Sequence, residues 1–166
     1  MKPSPLSFCP VPEEQQPLNE YQQLQSSWFF SWATLATGPY WRKLTWVWTW
    51  GWLVAGPISA ASFSPAKAPF LFFASSSVGA GLLSLLSLAR LYLGWSYVAS
   101  RLRDETVFYE ESGWYDGQTW AKPPAVLLRD RLVATHQIDP LLQRLRRSAL
   151  ILGTIVASGS LVWFWR

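Results

Sequence analysis

The side chains suited to chemistry are few, and most cluster in one stretch. In DETVFYEESGWYD, residues 104–116, the carboxylates of Glu105, Glu110, Glu111 and Asp116 stand close together. Such a group offers oxygen ligands to a hard cation, but its spacing is not that of a calcium loop, so a solvated hairpin edge is the favoured reading. On a strand, adjacent Glu110 and Glu111 would point to opposite sides, which argues against a shared acid–base pair. His136 is the only histidine. A single imidazole is enough to ligate chlorophyll or another tetrapyrrole such as haem. Beside Gln137-Ile138-Asp139 and outside every apolar run, however, it reads better as the last residue of a helix. Cys9 is the only cysteine, which excludes an intramolecular disulfide. No histidine or cysteine cluster of metal spacing, phosphate-binding glycine loop or nucleophile–base arrangement is present. We expect no catalytic residues, no metal ligands and no enzyme.

The elements that must carry these residues are membrane helices. WRKLTWVWTWGWLVAGP, residues 41–57, places Trp46, Trp48, Trp50 and Trp52 on every second residue. A strand with one indole face would need polar residues between, and Leu53-Val54-Ala55 offers none. From Leu44 to Ala66 there are 23 residues without a charge, from Ala68 to Ala89 another 22, and from Ser148 to Trp165 a further 18. At about 1.5 Å per residue, runs of this length match a hydrocarbon core of roughly 30 Å. The expected fold is all-α and membrane-embedded, with three transmembrane helices near 45–64, 69–90 and 147–165. The tryptophans would anchor the first at the membrane–water interface. Pro57 should kink that span, and Pro65 and Pro69 suit a tight turn after it. Four segments follow: 1–43, proline-rich with an amphipathic helix; 44–100, a transmembrane hairpin; 101–147, a cytoplasmic or stromal loop; and 148–166, the third span.

Basic residues orient this arrangement. With the N-terminus cytoplasmic or stromal, that side holds eleven lysines and arginines and the opposite side two, Lys67 and Arg166, with Arg90 at the inner end of span two. The split satisfies the positive-inside rule and places the C-terminus on the far side. Topology then accounts for the net charge of +4, and no nucleic-acid partner is needed. Arg144, Arg146 and Arg147 precede span three and are expected to anchor it to anionic headgroups. Arg90 would snorkel to the same layer or pair with an acid. Ser76, Ala80 and Ser84 recur every four residues, as do Ala149, Gly153 and Ala157. Such small-residue ridges permit close helix approach in lipid, within the chain or against a foreign helix. The opening forty residues, with six prolines and Glu13-Glu14, do not read as a signal peptide.

Outside the spans, Asn19 with Gln22 resembles a capping box, and Tyr21, Leu24, Trp28 and Trp32 would form one helical stripe. In the loop, Thr106–Tyr109 favours a strand, 112–117 carries turn signals, and Gln118-Thr119-Trp120 returns. After Pro123-Pro124 an amphipathic helix is expected over 125–136, and Asp139-Pro140 would cap a new one. A loop under 50 residues cannot build its own core and must pack on the N-terminal segment, the membrane surface or a partner. Its exposed aromatics, Trp114, Tyr115 and Trp120, with Trp28 and Trp32, are the candidate partner-binding residues.

Two stretches carry a family likeness. FCPVPEEQQPLNEYQQLQSSWFFSW and VFYEESGWYDGQTWAKPPAVLLRDRL resemble the signatures of a hypothetical-chloroplast-reading-frame family of cyanobacterial and plastid membrane proteins. That family is conserved in the green lineage and diatoms and classed as a domain of unknown function. The resemblance implies a photosynthetic or envelope membrane, such as the thylakoid, and no catalytic residues. The expected role is a non-enzymatic accessory factor for assembly or maintenance of photosynthetic membrane complexes. A pigment or metal-cofactor carrier and a small transport component are the alternatives. Partner complex and oligomeric state are left open.

Overall fold

The tryptophan-rich stretch is helical. It lies within α2 (Thr37–Ser62), which starts well before the uncharged run and continues through Pro57. The computed structural model describes residues 9–110 and 117–161, mostly helical with one two-stranded sheet. In chain order the other elements are α1 (Pro17–Ser26), α3 (Pro69–Arg103), β1 (Thr106–Glu110), β2 (Gly117–Ala121), α4 (Pro124–Val133) and α5 (Asp139–Leu161). Packing divides the chain into two units, each made of two separate stretches: Met1–Ser31 with Leu93–Leu142, and Trp32–Tyr92 with Gln143–Arg166.

The first unit gathers the hairpin, α1, α4 and the end of α3. β1 and β2 pair antiparallel with Val107 opposite Trp120 and Tyr109 opposite Gln118. Side chains alternate along β1, so Val107 and Tyr109 turn inward and Phe108 outward. The inward pair packs with Val11 and Trp120, so the N-terminal segment completes the core that the loop lacks. Gln15 extends the sheet with its carboxamide. Its Nε2 donates to the carbonyl of Glu110 at 2.9 Å, and its Oε1 accepts from the Glu110 N–H at 3.0 Å. Both bonds of a strand edge are thereby satisfied by one side chain.

α1 begins earlier than its capping-box pattern suggests. Pro17 occupies the first turn, where its missing N–H costs nothing, and Gln16 rather than Asn19 is the cap residue. The helix stops at Ser26, so Trp28 and Trp32 do not continue its stripe. α4 and α5 are not separate helices either. Ala134–Ile138 forms a π turn between them, and the Asp139 N–H bonds back five residues to Ala134. Asp139 is helical at φ −58°, ψ −44°, and is not an N-cap. The wider turn suits Pro140, which has no N–H and whose ring would strike the carbonyl of His136 in a regular helix.

The second unit packs α2, the first part of α3 and most of α5 through small residues. A Cβ on Gly51 would meet the Ala80 backbone at 3.0 Å, and one on Gly79 would meet Ala55 at 2.8 Å. Ser76, Ala80 and Ser84, the ridge expected in span two, have no exposed surface. The ridge expected on α5 is not its packed face: Ala157 is exposed and Gly153 meets nothing within 4 Å. Instead Val156 and Gly159 face Gly81 and Val78 of α3.

Among the described residues one helix, Pro69–Arg103, is long and apolar enough to cross a membrane. The expectation of three such helices is therefore met once on length and composition. α2 falls short because indoles and threonines are interfacial rather than oily. α5 opens on a charged stretch, and its apolar run extends beyond the described residues.

Candidate functional site

In the first unit a buried ion pair joins three elements. Lys122 follows β2, and its Nζ donates to Asp130 Oδ2 of α4 at 3.1 Å and to the carbonyls of Arg101 and Leu102 at 2.9 and 3.2 Å. The two carbonyls belong to the last turn of α3, whose acceptors need an outside donor. Both charged side chains are at most 2% exposed. Asp130 also accepts from the exposed Arg129. No spacing rule flags Lys122, which reads in sequence as one more loop cation.

On the same end of α3, Arg101 pairs with Glu20 of α1, donates to the Gln15 carbonyl at 3.0 Å, and lies 5.8 Å from the Tyr97 ring centroid. One Glu20 oxygen is buried without a partner. Burial raises the Glu20 carboxyl above its ordinary range, outweighing the opposing charge and hydrogen bond of Arg101. Burial likewise raises the Tyr21 phenol, which bonds to Gln137 on the π turn.

Only part of the acidic group falls among the described residues. Glu105 pairs with Arg131 at 3.2 Å, while Glu111 and Asp116 lie outside the described residues. Among the described residues no three histidine, cysteine or carboxylate side chains stand together in a metal-holding group. His136 is exposed on the π turn, inside a continuous helical run and not at the helix C-terminus expected for it.

The candidate partner-binding aromatics separate. Trp114 and Tyr115 lie outside the described residues. Trp28 is 85% exposed. Trp120 is half-buried on the hairpin core. Trp32 is corrected from a surface residue to an internal one: it is buried and stacks on Tyr40, ring centroids 5.5 Å apart.

The expected anchors also divide. Trp46 and Trp50 share the exposed side of α2. Trp52 turns inward against Phe72 and Phe73, and Trp48 contacts Trp52 edge-on at 5.8 Å. Arg144, expected among the headgroup anchors, turns toward the protein. Its guanidinium donates to the carbonyls of Ala33 and Leu35 and lies 4.5 Å from the Tyr40 ring centroid, closing the turn that precedes α2. Arg146 and Arg147 are exposed, as is Arg90, which has an interaction partner.

With the hairpin, the N-terminal strap and the α3–α5 packing in place, the chain can be set beside known proteins. Residues 9–151 match the CGLD27-like family, described as conserved in the green lineage and diatoms 27. The chain belongs to this family. It is 44% identical over 157 residues to the uncharacterized protein ycf36 of Pyropia yezoensis, covering 95% of each chain. To the ycf36 protein of Cyanophora paradoxa it is 42% identical over 150 residues, covering 90% of this chain and 92% of that one. A chloroplastic protein of Arabidopsis thaliana, named as conserved in the green lineage and diatoms 27, is 40% identical over 155 residues, which cover 93% of this chain and 47% of the longer relative. No solved structure matches. The matched region takes in both stretches that carry the family likeness, from Cys9 onward.

Proposed function

We propose that the protein is a non-enzymatic, multi-pass membrane accessory factor that assists assembly or maintenance of photosynthetic complexes. In this reading α2, α3 and α5 cross the bilayer, with the N-terminus and hairpin on the cytoplasmic or stromal side. The observation that carries it is the inverted polarity of the second unit. Ser76, Ser84 and Ser148 are buried at its centre, whereas Leu53, Ile58, Phe73, Leu86, Ile151 and Ile155 are each at least half exposed. Facing water, six half-exposed side chains forfeit roughly 5–9 kcal/mol of burial, a large part of the stability of an ordinary domain. Facing lipid or another protein's helices, they forfeit nothing. The relatives named as chloroplastic or as conserved in the green lineage support a photosynthetic membrane as the location.

A carrier of pigment or another apolar cofactor is the second reading. It is favoured by a crevice of about 400 Å³ among the helices of the second unit, walled by Trp41, Trp48, Val78 and Val156, with Thr45 and Ser77 on its lining. Purification of the tagged protein from its native membrane, in mild detergent, tests both. Photosynthetic subunits in stoichiometric amount, with no pigment beyond theirs, support the accessory role. Pigment travelling with this chain alone overturns it in favour of the carrier.

A further inference from the structure

A second opening in the same unit has a different character. It is a groove of about 740 Å³ between α3 and α5, walled by Leu82, Leu86, Ala89 and Tyr92 on one side and by Arg146 and Ala149 on the other. Two contacts fix the helix register there. Gly81 faces Val156 and Val78 faces Gly159, so the helices run antiparallel and Tyr92 stands level with Leu145 and Arg146. The groove is therefore apolar along its length, with a phenol and a guanidinium at one end.

Its length has a natural measure. Leu82 and Tyr92 are ten residues apart, about 15 Å along a helix and so about half of a 30 Å hydrocarbon core. Arg146 lies two residues before the uncharged run of α5 that begins at Ser148, at headgroup depth in the three-span reading. Unlike Arg144, it is exposed and bonds to no described residue. A guanidinium fork matches phosphate oxygens, and basic pockets between transmembrane helices on the positive side take anionic headgroups.

We infer that this groove is a site for one anionic glycerolipid, with an acyl chain lying along Leu82–Tyr92 and the headgroup phosphate held by Arg146 and Tyr92. The inference rests on the three-span reading and adds to it a discrete ligand site.

The test uses the full chain in phosphatidylcholine nanodiscs doped with phosphatidylglycerol, with native mass spectrometry of the lipid retained on release. Wild type retains phosphatidylglycerol in preference to phosphatidylcholine. Arg146→Gln lowers that preference about five-fold, whereas Arg147→Gln, one residue away but outside the groove, changes it less than about two-fold. Leu86→Trp, which fills the groove and leaves the charge, also expels the lipid. Equal losses from Arg146→Gln and Arg147→Gln would indicate diffuse surface attraction and overturn the site. So would displacement of phosphatidylglycerol by inorganic phosphate. Wild-type protein that stays in alkali-washed membranes without any lipid preference sinks the site alone. Protein released by the wash sinks the three-span reading and the site with it.

Discussion

Asp130→Ala is the most informative single change in the first unit. It removes the carboxylate 3.1 Å from Lys122 Nζ and leaves a side chain 1% exposed with only two helix carbonyls as partners. Removing one member of a buried pair costs about 3–5 kcal/mol, because the remaining charge stays desolvated. At about 1.4 kcal/mol per factor of ten, local opening should accelerate by roughly two to three and a half powers of ten. Hydrogen exchange read by mass spectrometry on the detergent-solubilised full chain measures this directly. The Lys122 amide, bonded to Glu105 at 2.9 Å, lies in the peptide to follow. Lys122→Met should do less damage, because Asp130 keeps the solvent-facing Arg129. Lys122→Met combined with Asp130→Met should do less still, since neither charge is stranded. Asp130→Ala exchange within tenfold of wild type, or a Lys122→Met effect larger than that of Asp130→Ala, would refute the reasoning.

Other changes probe the remaining contacts. Because burial raises the Glu20 carboxyl, the folded state holds its proton more tightly than the unfolded chain, and stability falls as pH rises through the folded value. Mild acidification should therefore leave the α1 amides as protected as before, and Glu20→Gln should not weaken them; exchange that speeds up on acidification in wild type alone would contradict this. Gly51→Val drives new atoms into Ala80, where even a Cβ would sit at 3.0 Å, and should cost about 1–3 kcal/mol in thermal unfolding in detergent. Arg144→Met bares the carbonyls of Ala33 and Leu35 and should cost about 2–4 kcal/mol, against under about 0.5 for Arg147→Met. Trp28→Ala removes an indole that is 85% exposed, so it should reduce co-purification of partners without shifting the unfolding midpoint; unchanged partners would remove Trp28 from the interaction surface.

The parts legible in the sequence were those governed by local rules. The β-branched and aromatic residues of Thr106–Tyr109, with turn residues beyond them, pointed to the hairpin, and the uncharged run at 44–66 to a helix despite its two-residue tryptophan spacing. The failures share a cause. Lys122 and Arg144 are residue types that favour the surface, Trp32 is of a type seldom sealed completely, and each is placed inside by partners 8, 109 and 8 positions away in the chain, namely Asp130, Leu35 and Tyr40. Local pattern carries no signal of such pairing. Asp139-Pro140 misled for a subtler reason: its chemistry suits a helix start, but a π turn lets a helix pass through the same residues. On α5 the four-residue spacing of small side chains was real, yet the bulkier Val156 beside Gly159 makes the contact.

Among the described indoles, four mark two contrasting optical environments. Trp32 and Trp95 are sealed, at 4% and 0% exposure, while Trp46 and Trp50 stand more than half uncovered on one side of α2. A quencher dissolved in the surrounding phase reaches the second pair and not the first. Emission from the sealed indoles follows only folding, and emission from the uncovered ones follows whatever the helix is immersed in. With the other indoles replaced by phenylalanine, these two pairs would give an internal reference and an external gauge of the solvent around α2.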